Sequence, residues 1–171
     1  VFDRNRKGPQ WQPLPLTGEP LVNIEDWDVE LHHARESWTR KVRMQQLQDL
    51  RNTEFVNFAG EVIYRTNFVV DRPAQHPVLN LGRVAGIAEV TLNGEPCGVR
   101  WCGRRLYGLT GKLREGENLL EVKVTTTLGN YMRTLTDNDT AQKWVGGRKT
   151  QPEQSMGLIG PVSLYENDRV V

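Results

Sequence analysis

The chain has 171 residues, long enough for one domain with a sizeable core and too short for two ordinary ones. Its 22 basic and 21 acidic side chains leave a net charge of +1, without the basic excess of a duplex nucleic-acid binder. No apolar run approaches membrane-spanning length, so neither nucleic acid nor a membrane is expected as a partner.

Val1 is not a start methionine and no charged-then-apolar leader follows it, so the chain reads as a mature or excised fragment. Residues 1–22 hold Pro9, Pro13, Pro15 and Pro20 in polar surroundings and read as a linker or extended arm, with Trp11 packing on a domain surface. The domain itself is expected over 23–167. Trp27, Val29 and Leu31 alternate with Asp28, Glu30 and His32, which predicts a first strand. Over 37–51, Ser37 offers a cap and Trp38, Val42, Leu47 and Leu50 share a loose face, which predicts a helix; an irregular excursion is the alternative.

Alternation returns from Gly60 to Val70, with Val62, Tyr64, Thr66, Phe68 and Val70 on one face. Val78–Leu81 predicts a short strand. Ala88, Val90 and Leu92 then alternate with Glu89 and Thr91 up to Asn93-Gly94, which supplies the positive φ angles of a two-residue hairpin turn. Arg104–Leu109 is a further strand candidate. Asn118–Thr127 follows the Gly116-Glu117-Asn118 turn, with Leu120, Val122 and Val124 on one side. Residues 128–157 are polar and aperiodic, a long loop of the kind that is functional or a partner contact. Gly157–Tyr165 predicts the closing strand. Many short strands between turn signals give an all-β fold, a jelly-roll β-sandwich with at most one short helix.

Reactive constellations are sparse. There is no Gly-x-Ser-x-Gly elbow, and Gly146-Gly147-Arg148-Lys149-Thr150 lacks the glycines of a phosphate loop. His32 and His33 are strand neighbours and point to opposite faces. Cys97 and Cys102 on one extended strand stand roughly 16 Å apart, beyond the about 4.4–6.8 Å of a disulfide, so free thiols are expected. Paired carboxylates for glycoside hydrolysis could come from Asp26, Asp28, Glu30, Glu54 or Glu61, but a solvated strand face accounts for them better. Asn138-Asp139-Thr140 is a formal glycosylation sequon. Asp137, Asn138 and Asp139 are possible oxygen ligands for a structural calcium, for which a polar loop is the plainer reading; no cofactor is expected.

Aromatic and polar groups outside the core pattern form the candidate carbohydrate-binding set: Trp101, Arg105, Tyr107, Asn130, Tyr131, Arg133 and Trp144. An aromatic ring offers a platform to a sugar's C–H face while Asn and Arg bond its hydroxyls. The same kit stacks single-stranded bases. For Trp101 and Tyr107 the core reading has the edge. For Asn130, Tyr131, Arg133 and Trp144, ligand binding and domain contact weigh equally.

Several separated motifs carry a family resemblance. Asn57-Phe58-Ala59-Gly60-Glu61-Val62-Ile63-Tyr64 resembles the first long strand of the sugar-binding domain in family 2 glycoside hydrolases and related bacterial enzymes. Leu79-x-Leu81-Gly82-x-Val84 with Ala88-x-Val90-x-Leu92-Asn93-Gly94 is similar to its central hairpin, continued by Gly98-x-x-Trp101. Leu113-x-x-Gly116-x-Asn118-x-Leu120-x-Val122-x-Val124, Leu128-Gly129-Asn130-Tyr131-Met132 and Gly157-Leu158-Ile159-Gly160-Pro161-Val162 resemble its later turn, loop and closing strand. The resemblance runs from Trp27 to Tyr165 and extends to galactose-binding-like modules of large exported enzymes of the α-L-rhamnosidase type. The sequence departs from the pattern at Gly103–Tyr107, where a Pro-Tyr is usual, and at Asn80, where aspartate is common. The resemblance implies a sandwich without catalytic residues, packed on the catalytic domain of the same polypeptide and exported with it. Its partner would be an oligosaccharide or polysaccharide, bound by stacking and hydrogen bonds. The alternatives are a module that only braces the catalytic domain and, last, a glycosidase using paired carboxylates.

Overall fold

The computed structural model describes residues 16, 18–72, 74–146 and 152–167. Trp11, most of the proline-bearing arm and residues 147–150 of the glycine-rich stretch lie outside them. The strands are β1 (Val22–Ile24), β2 (Trp27–His33), β3 (Thr39–Met44), β4 (Gly60–Val70), β5 (Pro77–Asn80) and β6 (Arg83–Ala85). They continue with β7 (Ile87–Leu92), β8 (Glu95–Arg100), β9 (Leu106–Gly108), β10 (Gly116–Thr125), β11 (Gly157–Gly160) and β12 (Val162–Glu166). A six-stranded antiparallel sheet, β3-β2-β4-β10-β7-β8, faces a four-stranded one, β1-β12-β5-β9, and β11 pairs with β6 as a small third sheet. The fold is the all-β sandwich that the alternation predicts.

The core lies between the two larger sheets. Val62, Tyr64 and Phe68 of β4 and Leu120, Val122 and Val124 of β10 are buried on one side of their ladder, which runs from Gly116↔Val70 to Thr125↔Glu61. Leu79, Tyr107 and Leu164 meet them from the smaller sheet. Each such side chain contributes about 1.5–3 kcal/mol by leaving water. The opposite face of the large sheet carries charges in register: Arg65 bridges Glu30 and Glu121, and Lys123 bridges Glu61 and Glu89.

The β7–β8 hairpin forms as its sequence dictates, with Asn93 at φ +53° and Gly94 at φ +84°. The Asn93 side chain donates to the Lys112 carbonyl and to Asn118 Oδ1, and accepts from the Leu119 N–H. Buried Asn118 in turn donates to the carbonyls of Arg114 and Gly116. One turn residue thereby fixes its neighbour.

Three expectations are corrected. Residues 37–51 are not helical: 39–44 form β3, in register with β2 from Trp27↔Met44 to His32↔Thr39, and only Leu50–Asn52 make a short 3-10 turn. In Thr39-Arg-Lys-Val-Arg-Met44 only Val42 and Met44 turn inward, so an edge strand leaves no clear period of two. Ser37 caps nothing; it sits at φ +51° in the β2–β3 turn, where His33 Nδ1 accepts from the N–H groups of Arg35 and Glu36. Secondly, 128–157 is not an unbroken loop. It contains α1 (Gly129–Met132) and α2 (Asp139–Val145), two short helices where at most one was expected. Asn138 of the sequon caps α2, its side chain accepting from Ala141 N–H. Thirdly, the closing segment is two strands, divided at Pro161.

Candidate functional site

The candidate residues fall into two groups. The first lies where β8 crosses to β9 and so links the two large sheets. Arg105 is buried there, and its guanidinium donates to the carbonyls of Gly103 and Trp101 at 2.9 Å and of Gly86 at 3.3 Å. This fork gives the turn between the strands its shape. Trp101, one residue past β8, is 74% exposed, so its core reading is overturned. The strand's alternation ends before it, and the turn carries the ring outward. Tyr107 is instead a core residue. Its hydroxyl donates to the Ala88 carbonyl at 3.0 Å, and burial pushes its ionisation up to about 12 despite nearby Arg105 and Arg100. Arg100 lies over the Tyr107 ring and donates to the Leu106 carbonyl.

Arg105→Met should cost about 2 kcal/mol, because three carbonyls lose a charged donor. Hydrogen exchange should speed up at residues 101–104 while β8 stays protected. Unchanged exchange there would mean that the fork does not hold the turn.

The second group lies in 128–157. Asn130 is buried and clasps Gln154, donating to its carbonyl at 2.9 Å and accepting from its N–H at 2.7 Å. Tyr131 packs edge-on against His33, with ring centroids 4.8 Å apart, beside Trp38 and Phe58. Arg133 approaches Glu153 at 4.0 Å. Trp144 on α2 is 61% exposed, and an apolar groove of about 320 Å³ runs beside it along Met132 and Val145.

The two groups do not converge on one surface. Trp101 follows β8 and Tyr131 rests on β2, four places apart in the sheet. That spacing is roughly 19 Å at about 4.8 Å per strand. Arg105 uses its two terminal guanidinium nitrogens, and Tyr107 and Asn130 their side-chain polar groups, within the fold, while Trp101 and Trp144 face outward. Among the described residues no three His, Cys, Asp or Glu side chains gather as for a metal. Cys97 and Cys102 are free thiols, as their spacing predicts. No described helix is long and apolar enough to cross a membrane.

Sequence reasoning missed the structural roles of His33 and Asp49. The 7%-exposed Asp49 caps the 3-10 turn by accepting from Arg51 N–H, and also accepts from Met156 N–H across the fold. Its signal was an aspartate immediately before Leu50, read as the interior of a helix.

No protein-family model matches the chain. A curated protein named "Putative beta-glucuronidase" from Formosa agariphila is 34% identical over 121 residues, 67% of this chain and 10% of that protein. Among solved structures, a rhamnosidase from Novosphingobium sp. PP1Y superposes with a TM-score of 0.68 at 24% identity, over 94% of this chain and 16% of that one. A GH2 beta-galacturonidase from Eisenbergiella tayi gives 0.58 at 15% identity, over 86% of this chain and 25% of that one. The chain therefore spans between a tenth and a quarter of the length of these proteins.

Proposed function

We propose that this galactose-binding-like sandwich, whose solved neighbours are glycoside hydrolases, is a non-catalytic domain of a larger, exported bacterial hydrolase, and that it braces the rest of that enzyme. One observation carries the reading: Trp101 and Trp144 stand 74% and 61% exposed on supported backbone, Trp101 on the Arg105 fork and Trp144 on a capped helix. Large rigid aromatics of this kind anchor protein interfaces. Two of the five carboxylates the sequence offers for hydrolysis have other work, since Glu30 and Glu61 are ion-paired on the outer face of the large sheet.

The test compares Trp101→Ala/Trp144→Ala in the isolated chain and in its parent enzyme by calorimetry. The isolated chain should change by less than about 0.5 kcal/mol, as for surface substitutions. In the parent enzyme the sandwich should melt as a separate transition. A parent thermogram unchanged by the substitutions would remove the bracing role.

Glycan recognition on the Trp101 platform is the second reading. Arg100 and Arg104 flank the exposed ring in sequence, and a ring so placed could stack on a sugar. Calorimetry with plant oligosaccharides should then give heat that Trp101→Ala abolishes; no heat from a folded sample across a broad panel leaves bracing alone.

A further inference from the structure

β3 is one edge of the six-stranded sheet, and among the described residues no strand pairs with its outer side. The parity of the ladder fixes which backbone groups are left there. His33 N–H donates to the Trp38 carbonyl and Ala34 N–H to the Ala59 carbonyl. The odd-numbered residues of β2 therefore bond to β3 and the even-numbered ones to β4. Arg40, Val42 and Met44 are the β3 partners, so the N–H and C=O groups of Thr39, Lys41 and Arg43 point to the open edge. Side chains alternate too. Lys41 and Arg43 lie on the outer face opposite Glu30 and Asp28, and Val42 lies on the core side opposite Val29.

We propose that the open edge of β3 takes up an extended acidic segment of a separate protein, added as a further antiparallel strand. The segment reads acidic–apolar–acidic opposite Arg43, Val42 and Lys41. The proposal is independent of the bracing role and of the Trp101 platform, which rest on other residues.

Charge and pattern carry the inference. β2 shows what β3 accepts: Asp28-Val29-Glu30 already lies opposite Arg43-Val42-Lys41 on the inner side. Thr39–Met44 holds three cations and no acid. Lys41 is 75% exposed, and its partner Glu30, at 3.7 Å, is shared with Arg65 and His32. Arg43 has no ion pair among the described residues. Acids two residues apart on a facing strand would meet both cations on one face. Main-chain bonds then give affinity, and the alternate side chains give selectivity.

A second copy of this chain is the poorer occupant, because two β3 edges would set cation against cation. The opposite edge of the sheet is blunted. β8 carries Pro96, which has no N–H to offer, a register shift opposite Val90 and Thr91, and Gly98 at φ +127°. β1 and β9, the edges of the smaller sheet, are three residues long.

The test titrates the full chain with the peptide acetyl-Thr-Val-Asp-Val-Glu-Val-Thr-amide and follows amide hydrogen exchange residue by residue. Saturable binding should slow exchange at Thr39, Lys41 and Arg43 and leave Arg40 and Val42, already bonded to β2, little changed. A peptide with Lys in place of both acids should bind at least about tenfold more weakly, and added salt should weaken the acidic one. Lys41→Pro should abolish binding and keep β3 paired with β2, since the N–H it removes faces outward and proline suits an edge strand. Lys41→Ala keeps that N–H and should weaken binding by less than about fivefold, the range of one exposed ion pair. If Lys41→Pro does not fold, the exchange pattern decides alone. Five outcomes would overturn the proposal: no saturable binding, binding that leaves the three amides exchanging as before, equal affinity for the lysine peptide, dimerisation of the chain that Lys41→Pro abolishes, or binding to the isolated chain that is lost in the parent enzyme, whose own chain would then hold the edge.

Discussion

Gly60→Ala is expected to remove about 4 kcal/mol or more of stability, the exceptional end of single-substitution effects. Gly60 opens β4 and is held on both sides, in register with His33 of β2 and hydrogen-bonded through its N–H and carbonyl to Thr126. A Cβ there would lie 2.0 Å from the His32 carbonyl oxygen and 2.9 Å from the Ala34 nitrogen. Both are backbone atoms of the neighbouring strand and its turn, so no rotamer change relieves the clash. The strand would have to move, and with it the His33 bonds that close the β2–β3 turn. Gly94→Ala is the control. Its φ of +84° is strained for alanine, but nothing lies within 4 Å of the added carbon. It should therefore cost only about 1–2 kcal/mol. Urea unfolding measures both, and equal losses would show that the close approach at Gly60 is not what matters.

Asp49→Ala should cost about 2–3 kcal/mol, because it leaves the N–H groups of Arg51 and Met156 without their charged acceptor. Burial by itself would raise the Asp49 carboxyl. The bonds from Met156 and Arg51 backbone, the Ser155 side chain and the nearby Arg51 charge outweigh it, so the group titrates below its ordinary value. The sign follows: stability from the charged form is fully present above about pH 4, the unfolded carboxyl's range, and drains away as pH falls through the lower folded value. Asp49→Asn should therefore flatten the acid side of the stability curve and leave its neutral-to-alkaline side parallel to the original. Denaturant midpoints measured across acid pH decide this, and an unchanged acid slope would remove Asp49 from the account.

Where a strand buries one face, the residues announced it. Val62 to Val70 and Leu120 to Val124 alternate because one side meets the core and the other meets water, and Asn93-Gly94 has few conformations besides its turn. β3 was hidden because it is itself an edge strand and its two faces are nearly equally wet, leaving Val42 too weak a marker. The two helices in 128–157 were hidden for a related reason. Asn130, Asn138 and Gln142 hold that segment by bonds from side chain to backbone, and such bonds need no hydrophobic period. Aromatic identity was legible in the candidate site, but direction was not. Trp101 and Tyr107 lie six residues apart on either side of one turn, and only the turn's geometry sends one into solvent and the other under the sheet.

The clasp between Asn130 and Gln154 has a consequence for how this fold can diverge. Its two bonds tie residues 24 apart, so the chain between them begins and ends at fixed points. Doubling the length of such a loop costs only about 0.6 kcal/mol of closure entropy, provided that the points of attachment are kept. Insertions and deletions between α1 and Gln154 are therefore cheap, while substitutions of Asn130 are not. Relatives of this chain should vary most in length within that interval, and it is where a new module could be spliced in without disturbing the sandwich.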